Sequence, residues 1–274
     1  MPSFFFVKTK MKLKYYQVDA FTENVFKGNP AGVIFSDLND EILMQKIAFE
    51  NNLSETAFIS KVNNEFFIRW FTPLCEVELC GHATLASAFV FFNYIDKNAT
   101  KFVVNSKSGF LEVNKNSDDL LCMNFPLDSI NKLDSNLPEI EFFLGQKPNE
   151  IYKGKVDYLC IFDDESDIIN LKPNFSSSIS IKSRGIIVTA KSEKYDFVSR
   201  CFFPQTGVDE DPVTGSAHTT LMPYWSNILN KTNLIAKQIS QRGGILKCKL
   251  VNDRVIISGK AVLFLEGEII LNSY

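Results

Sequence analysis

Glu-Val-Glu-Leu-Cys-Gly-His-Ala-Thr-Leu-Ala, residues 76–86, is the stretch whose surroundings recur in the second half of the chain. An Arg-x-Phe-x-Pro pattern precedes it at residues 69–73. The same pattern at 200–204 leads through acidic residues into Gly-Ser-Ala-His at 215–218. Repeats that stack into a solenoid are short and adjacent, so two copies this far apart indicate instead two similar lobes that meet face to face. The alternative is that the glycines in both copies are ordinary turn residues and that the likeness is chance.

Each copy has the order strand, acidic loop, glycine and helix. The glycine, Gly81 in one copy and Gly215 in the other, lets the backbone approach a ligand closely. The first N–H groups of the following helix have no partner within the helix, and the positive end of its dipole attracts anions. If the two helix starts converge between the lobes, the sequence predicts a binding site for a carboxylate there.

Composition limits the classes of function. The 274 residues are enough for one large domain or two ordinary ones, and 45% hydrophobic residues supply a buried core. The formal net charge is -3 with acidic and basic residues interspersed, which predicts neither nucleic acid nor a membrane as a partner. The 6 cysteines are scattered without a Cys-x-x-Cys pair, a usage typical of the reducing cytoplasm.

The order of elements along the chain indicates where the lobes lie. A helix is predicted over 40–50, and a second helix over 84–95 is apolar on most sides, as a buried helix is. Strand-like segments follow it, so we predict a helix enclosed by a curled sheet. The lobes are predicted at 11–116 and from residue 117 onward, with residues 1–10 as an extension outside the core.

Glycine and proline give two further local predictions. Residues 28–32, Gly-Asn-Pro-Ala-Gly, are a turn by composition. Pro223 lies inside the helix that follows Gly215. Because proline has no backbone N–H group and its ring crowds the preceding turn, it predicts a kink or an early end of that helix.

The chain has 2 histidines, and each lies just inside one of the predicted helix starts. A helix N-terminus lowers the pKa of a histidine, which favours the neutral ring that can donate or accept a proton. Acidic neighbours favour a functional role for His82, whereas His218 has no evident partner and fits better as a residue packed in its lobe. Glu55 precedes a β-prone apolar run and by itself looks like an exposed loop carboxylate.

Neither a metal nor a nucleotide cofactor is predicted. A metal site needs about three or four ligands, and the sequence has no His-x-x-x-His pattern and no cysteine pair. It also lacks the Gly-x-Gly-x-x-Gly and Walker patterns of nucleotide-binding loops. A Cys80 nucleophile activated by His82 is disfavoured, because residues two apart at a helix start point in different directions.

Short motifs in a fixed order carry a resemblance to a known family. The motifs are Gly28-Asn29-Pro30-Ala31-Gly32, Ser54-Glu55-Thr56-Ala57-Phe58, Arg69-x-Phe71-Thr72-Pro73, Glu78-Leu79-Cys80-Gly81-His82-Ala83-Thr84, Asp211-Pro212-x-Thr214-Gly215-Ser216-Ala217 and Gln241-Arg242-Gly243-Gly244. Together they resemble the PhzF-like phenazine-biosynthesis family over the chain from about Met11 to its end.

The resemblance implies an α+β fold of the diaminopimelate-epimerase-like type, with two similar lobes related by a pseudo-twofold axis. Each lobe would be a barrel-like mixed or antiparallel sheet around a central helix, and the active site would lie in the cleft between the lobes. The likeness further implies that the last residues, about 266–274, return to the N-terminal lobe, which leaves 117–265 as the C-terminal lobe. It is compatible with a homodimer.

The activity that the resemblance implies is a cofactor-free isomerisation. Members of the family look like isomerases that move a proton across an allylic or enol system of a small carboxylate substrate, the best understood acting on a dihydro-hydroxyanthranilate. Glu55 matches the family's general acid/base. Partial burial would have to raise the pKa of its carboxyl group toward neutrality, and the apolar residues that follow it could supply that burial.

The remaining site residues are carried over from the same motifs. His82 and Asp211 match the positions that orient and polarise the substrate, and Ser216 matches the hydroxyl group that binds it. Backbone N–H groups near Gly81 and Gly215, with Thr214 beside them, would hold the substrate's carboxylate.

Two other functions stay open at this point. An amino-acid racemase or epimerase of the same fold uses one thiol from each lobe, and Cys80 occupies one such place. Its counterpart in the duplicated loop is Thr214, which disfavours this two-base chemistry. A non-catalytic protein that binds a small molecule would retain the cleft but would not need the acid/base carboxylate of Glu55.

Overall fold

A computed structural model describes residues 10–134 and 137–272 as a mixed α+β structure of one 17-stranded sheet and a few helices. The strands are β1 (Lys10–Ala20), β2 (Asn29–Phe35), β3 (Glu55–Val62), β4 (Glu65–Phe71), β5 (Glu76–Val77), β6 (Lys101–Ser106), β7 (Gly109–Lys115), β8 (Leu121–Pro126), β9 (Asn131–Lys132), β10 (Glu150–Lys153), β11 (Asp157–Ile161), β12 (Gly185–Lys191), β13 (Phe197–Phe202), β14 (Asn233–Gln238), β15 (Gly244–Val251), β16 (Arg254–Gly259) and β17 (Ala261–Asn272). The α-helices are α1 (Glu41–Asn51), α2 (Gly81–Val90), α3 (Pro138–Leu144), α4 (Glu165–Ile169) and α5 (Ala217–Leu229). A π-helical turn (Phe91–Ile95) and 3-10 turns (Phe175–Ser180 and Pro204–Thr206) complete the helical segments of this part of the chain.

The strand pairings repeat between the two halves of the chain. In the first half the pairs β1–β2, β3–β4, β6–β7 and β7–β8 are antiparallel, and the pairs β2–β3 and β4–β6 are parallel. In the second half the pairs β10–β11, β12–β13, β14–β15 and β15–β16 are antiparallel, and the pairs β11–β12 and β13–β14 are parallel, which is the same order. The helices repeat as well, because α1 and α4 follow the second strand of each half and α2 and α5 follow the fourth. The predicted duplication and the α+β class are confirmed.

The halves join through the last strand of each repeat. β8 pairs antiparallel with β16, so the sheet continues from one half into the other. β17 pairs with β1 along its whole length, from Ala20↔Ala261 to Lys10↔Asn272. β8 therefore lies between β7 of its own half and β16 of the other half. The lobe limits, with a cut between residues 116 and 117, stay a prediction.

The central helix of the first half lies inside its own sheet. α2 contacts β1, β2 and β3 as well as β7, β8 and β17, so strands from both ends of that half-sheet reach it. Its small and apolar side chains, among them Ala83, Ala86 and Ala88, are buried, which permits this close approach. In the second half α5 contacts β14, β15 and β16. A single core cluster extends from Leu85 in α2 to Trp225 in α5, so the halves pack directly on each other.

Several local predictions need correction. Residues 28–32 are not a turn throughout: Gly28 has the positive φ of a turn residue, +67°, and β2 begins at Asn29. The helix predicted over 84–95 is α-helical only to Val90 and ends in the π-helical turn. Of the two effects predicted for Pro223, a kink or an early end, the early end does not occur, because the helix reaches Leu229.

The remaining corrections concern the N-terminal extension and strands that were not predicted, namely β9 and β10 in a segment interpreted as a lobe boundary, and β14. Residues 1–9 of the predicted extension lie outside the described residues, and Lys10 already belongs to β1. β14 was not predicted, because polar residues at both of its ends hide the alternation of its buried side chains. Within residues 10–134 and 137–272, no helix has the length and apolar character needed to cross a membrane.

Candidate active site

The two predicted helix starts meet where the halves join. α2 begins at Gly81, and Gly215 lies just before α5. A Cβ atom added to Gly81 would lie 3.9 Å from the Cα atom of Gly215, an ordinary van der Waals distance, so the backbones of the two helix starts lie side by side. A cavity of about 580 Å³ opens at this junction. The predicted site residues all line it: Glu55, Gly81, His82, Asp211, Thr214, Gly215 and Ser216.

Glu55 is the first residue of β3 and is not an exposed loop carboxylate. Its side chain is 16% exposed. Burial raises the pKa of this carboxyl group to about 8, and the negative charge of Asp211 adds to the increase, while a hydrogen bond from Cys80 opposes it. The Oε2 atom is buried without a hydrogen-bond partner among the described residues. At neutral pH the group is therefore mostly a neutral acid, and its free oxygen is available to a ligand.

His82 lies in the first turn of α2, beside Glu55. Burial lowers the pKa of its ring to about 3, so the ring is neutral at pH 7. Its Nε2 atom approaches Oε2 of Glu55 to 3.2 Å, but neither atom has a hydrogen-bond partner in the described part of the chain. Since both groups are neutral at this pH, the contact is a close approach of two uncharged groups and not an ion pair. The Nδ1 atom lies 3.5 Å from Sγ of Cys80.

Asp211 faces the same cavity from the second half. Nδ2 of Asn29 donates a hydrogen bond of 2.8 Å to its Oδ1 atom, and the Thr214 hydroxyl donates to Oδ2. These bonds and the positive charge of Arg184 oppose the effect of burial, which raises the pKa of Asp211 to about 6. Gln238 donates to the Asp211 backbone carbonyl at 2.7 Å and accepts from the Thr214 N–H at 2.8 Å. The loop before α5 is thus fixed by side chains from two distant strands.

Asn29 and Gln238 hold the loop of Asp211 in place, and sequence reasoning did not single them out. Asn29 is completely buried and links the first half to the second, because its amide also donates to the carbonyl of Val213 at 2.9 Å. Its place in a glycine-rich motif was the available signal. Gln238 lies in the unpredicted strand β14 and carried no such signal.

The motif around Arg242 holds the motif around Gly28. Nε of Arg242 donates to the Gly28 carbonyl at 2.8 Å, and Nη2 donates to Oδ1 of the buried Asp19 at 2.7 Å. In return the Gly28 N–H donates to the carbonyl of Gly243 at 2.7 Å. Asn29 follows directly, so these contacts position the residue that orients Asp211.

The structure places the remaining histidine outside the cavity. His218 is completely buried in α5, where Nδ1 lies 2.8 Å from the carbonyl of Thr214 and the ring packs 6.0 Å from that of Phe197. Burial lowers the pKa of His218 to about 4, so this ring is also neutral. The interpretation of His218 as a residue packed in its lobe fits this position.

Three groups at the site could also act as metal ligands. One ligand atom each from Glu55, Cys80 and His82 lies within 4.8 Å of the others. Burial raises the pKa of both the carboxyl group and the thiol, which keeps these two groups protonated, and the positive dipole end of α2 repels a cation. A metal ion bound by these groups would have to displace the protons of the carboxyl group and the thiol.

Comparison with known proteins gives consistent relatives. The sequence pattern of the family described as phenazine biosynthesis-like protein (PhzC-PhzF) matches residues 18–267. An uncharacterized isomerase of Halalkalibacterium halodurans is 46% identical over 265 residues, which cover 95% of this chain and 100% of that protein. A crystal structure of a PhzF family protein from Enterococcus faecalis is 47% identical, covers 95% of this chain and 100% of its own, and superposes with a TM-score of 0.91.

More distant structures share the fold alone. A hydroxyproline epimerase from Agrobacterium vitis, solved with bound trans-4-hydroxy-L-proline, covers 96% of this chain and 92% of its own with a TM-score of 0.61. Its sequence identity is 7%, so the likeness carries the architecture and not the site.

Proposed function

The chain belongs to the phenazine biosynthesis-like PhzC-PhzF family, and from this premise and the cavity we propose that it is an isomerase that works without a cofactor. It would move a proton between two carbons of a small carboxylate substrate, with Glu55 as the general acid/base. The observation that carries the proposal is the Glu55 carboxyl group, whose pKa burial raises to about 8 and whose Oε2 atom has no partner in the described structure. A carboxyl group with a pKa near the working pH can both take and return a proton.

The other cavity residues have roles that suit such a transfer. The ionised form of Glu55 would take a proton from one carbon, and the resulting acid would return it to another. The neutral ring of His82 can donate to or accept from a substrate oxygen or nitrogen, because its Nε2 atom lies buried at the cavity without a described partner. Asp211, held by Asn29 and Thr214, would orient a polar group of the substrate. The backbone at Gly81 and Gly215 would bind its carboxylate.

Exchange of substrate protons with solvent tests the proposal. Dihydroaromatic acids and amino acids would be incubated with the enzyme in D2O, and deuterium at each carbon would be followed by NMR. Deuterium at a ring carbon, together with migration of the double bond, is the expected result. Exchange at the α-carbon of an amino acid would support a racemase instead. A cytoplasmic location and a homodimer stay predictions.

The pH dependence of the reaction follows from the pKa of Glu55. Only the ionised carboxylate can take the first proton, and burial raises its pKa to about 8, so the active form is the minor one at pH 7. We expect kcat/KM to rise about tenfold per pH unit up to a midpoint near 8 and then to level off. A kcat/KM that stays constant between pH 6 and 8 would exclude Glu55 as the initial base.

Removal of the Cys80 thiol should have a small effect. Burial raises the pKa of this thiol well above its usual value, so it is a poor nucleophile and a poor base. We expect Cys80→Ala to keep kcat/KM within about tenfold of the wild type, since only weak hydrogen bonds of the thiol, to Glu55 and His82, are lost. The bond from Cys80 lowers the pKa of Glu55, so the midpoint of the pH profile should move upward in the variant. A loss as large as that of a Glu55 variant would instead indicate thiol chemistry.

A further inference from the structure

Arg184 brings a positive charge to the wall of the candidate active site. It immediately precedes β12 and lines the cavity together with Glu55, His82 and Asp211. Among the described residues that line this cavity, it is the only lysine or arginine. Sequence reasoning did not single it out, because it lies in none of the six motifs that carry the family resemblance.

The guanidinium group of Arg184 is held rigidly. Its Nε atom donates to Oδ1 of Asp157 at 2.9 Å, and Nη2 donates to Oδ2 of the same carboxylate. The group also lies 4.9 Å from the centre of the Phe203 ring. The next residue must be glycine, because a Cβ atom on Gly185 would lie 2.1 Å from the Phe203 ring. A side chain fixed in this way loses little conformational entropy when it binds a ligand.

The Arg184–Asp157 pair presents its positive end to the cavity. The Asp157 side chain is 1% exposed and does not line the cavity, whereas that of Arg184 is 36% exposed and does. The bonds that Arg184 makes to Asp157 and Ser216 come from Nε and Nη2, so among residues 10–134 and 137–272 no partner takes the two N–H groups of Nη1, which are left for a ligand or solvent. A guanidinium group with free N–H groups is suited to a carboxylate or a phosphate oxygen.

Arg184 also acts on Ser216, at the start of α5. Its Nη2 atom donates to Oγ of Ser216 at 3.3 Å. Since that oxygen accepts from Arg184, the Ser216 hydroxyl is left to donate its own proton elsewhere, and the residue lines the cavity. Arg184, Ser216 and the backbone before α5 thus offer several hydrogen-bond donors on one side of the cavity.

A positive group is needed there on grounds of charge. Asp211 and, once ionised, Glu55 both repel an anionic ligand in the same cavity. The helix N-termini supply only partial positive charges of about half a unit each. Arg184, although paired with Asp157, places a guanidinium group at the cavity wall, and its charge also opposes the burial effect on the pKa of Asp211.

We propose that Arg184 is the specificity-determining residue that selects substrates with a carboxylate group, which it binds jointly with the hydroxyl of Ser216. The inference rests on the proposed function for the location of the substrate, but it concerns binding and not the proton transfer. It predicts that the site discriminates an acid from the amide of the same shape.

Benzoate and benzamide are probes that differ only in this respect. Their dissociation constants would be measured by calorimetry at pH 7 for the wild type, for Arg184→Lys and for the double variant Asp157→Asn/Arg184→Met. The double variant removes the buried carboxylate charge that Arg184→Met alone would leave unpaired. We expect the wild type to prefer benzoate by at least about tenfold and the double variant to prefer neither by more than about twofold. Arg184→Lys should keep part of the preference for benzoate, since lysine retains the positive charge but cannot make the paired N–H bonds of a guanidinium group.

Arg200 provides the matched control. It also donates two hydrogen bonds to a carboxylate, that of Glu210, and lies 5.0 Å from the ring of Phe202, but it does not line the cavity. The Glu210 side chain is 23% exposed, so it stays hydrated when its partner is removed. Arg200→Met should keep the preference of the wild type for benzoate.

Each outcome bears on the proposal. A wild type that binds neither probe or binds both equally, or a double variant that retains the preference, would overturn the role of Arg184. If the double variant does not fold, Arg184→Lys decides: a preference reduced severalfold supports the role, and an unchanged one overturns it. Glu55→Gln should retain the preference for benzoate, so loss of proton transfer and loss of carboxylate selection are separate results.

Discussion

Glu55→Gln should abolish proton transfer while leaving the fold and ligand binding intact. The amide has the shape of the protonated acid but cannot take or return a proton at any accessible pH. Acid–base groups of this kind contribute about a hundredfold to ten-thousandfold in rate. We therefore expect exchange of the substrate's ring proton to fall by about a thousandfold or more, measured by NMR in D2O.

Stability provides an internal control for this variant. The pKa of Glu55 is raised from 4.5 to about 8, so the folded state holds a proton that the unfolded chain releases between these values. The stability that Glu55 contributes through this proton is complete below pH 4.5 and is lost as the pH rises to about 8. Glu55→Gln should accordingly be at least as stable as the wild type at pH 8, and the difference should vanish near pH 4.

Glu78→Gln is the control for activity, because Glu78 is a glutamate of the loop before α2 that is exposed and does not line the cavity. It should react at the wild-type rate. If Glu55→Gln kept more than about a tenth of the wild-type exchange, the carboxylate mechanism would be wrong. If Glu55→Gln instead lost stability at pH 8, a structural role of the ionised carboxylate would replace the assignment.

The duplication was readable from the sequence because it repeats a local pattern. The Arg-x-Phe-x-Pro strand end, the acidic loop and the glycine before a helix each have a local physical cause, and both copies have them. The strand pairings repeat in the same order in both halves. This is expected when the two halves have the same local sequence patterns at corresponding positions, because the same patterns favour the same pairings. The resemblance to the family was the reason for predicting Glu55 as a site residue, whereas its sequence neighbourhood alone favoured an exposed carboxylate.

The contacts that tune the site could not be predicted, because they join residues far apart in the chain. Asn29 reaches Asp211 across 182 positions, and Arg184 reaches Ser216 across 32. No local periodicity encodes such pairs, since the first depends on how one half packs on the other and the second on how β12 packs beside the start of α5. The raised pKa of Glu55 also depends on a distant residue, because the negative charge of Asp211 in the second half adds to the effect of burial.

Gly28→Ala tests whether the contact between the two glycine-rich motifs supports the fold. Gly28 has φ +67°, and a Cβ atom would lie 2.2 Å from the backbone oxygen of Ala20, which cannot move aside as a side chain could. The substitution would also push the Gly28 carbonyl away from Arg242. Backbone strain and steric overlap together should lower the free energy of unfolding by more than about 3 kcal/mol. This difference between the variant and the wild type would be measured by urea denaturation.

Gly109→Ala separates the overlap from the strain of a positive φ. Gly109 has φ +99°, a conformation no easier for alanine, but nothing lies within 4 Å of its Cβ position. The free energy of unfolding of Gly109→Ala should be lower than that of the wild type by about 1–2 kcal/mol, the cost of backbone strain alone. Because Asn29 follows Gly28 and orients Asp211, Gly28→Ala should also reduce activity at temperatures where it remains folded, whereas Gly109→Ala should not. Equal losses of stability in the two variants would mean that the chain near Gly28 relaxes freely, and that the junction between the motifs does not hold the halves together.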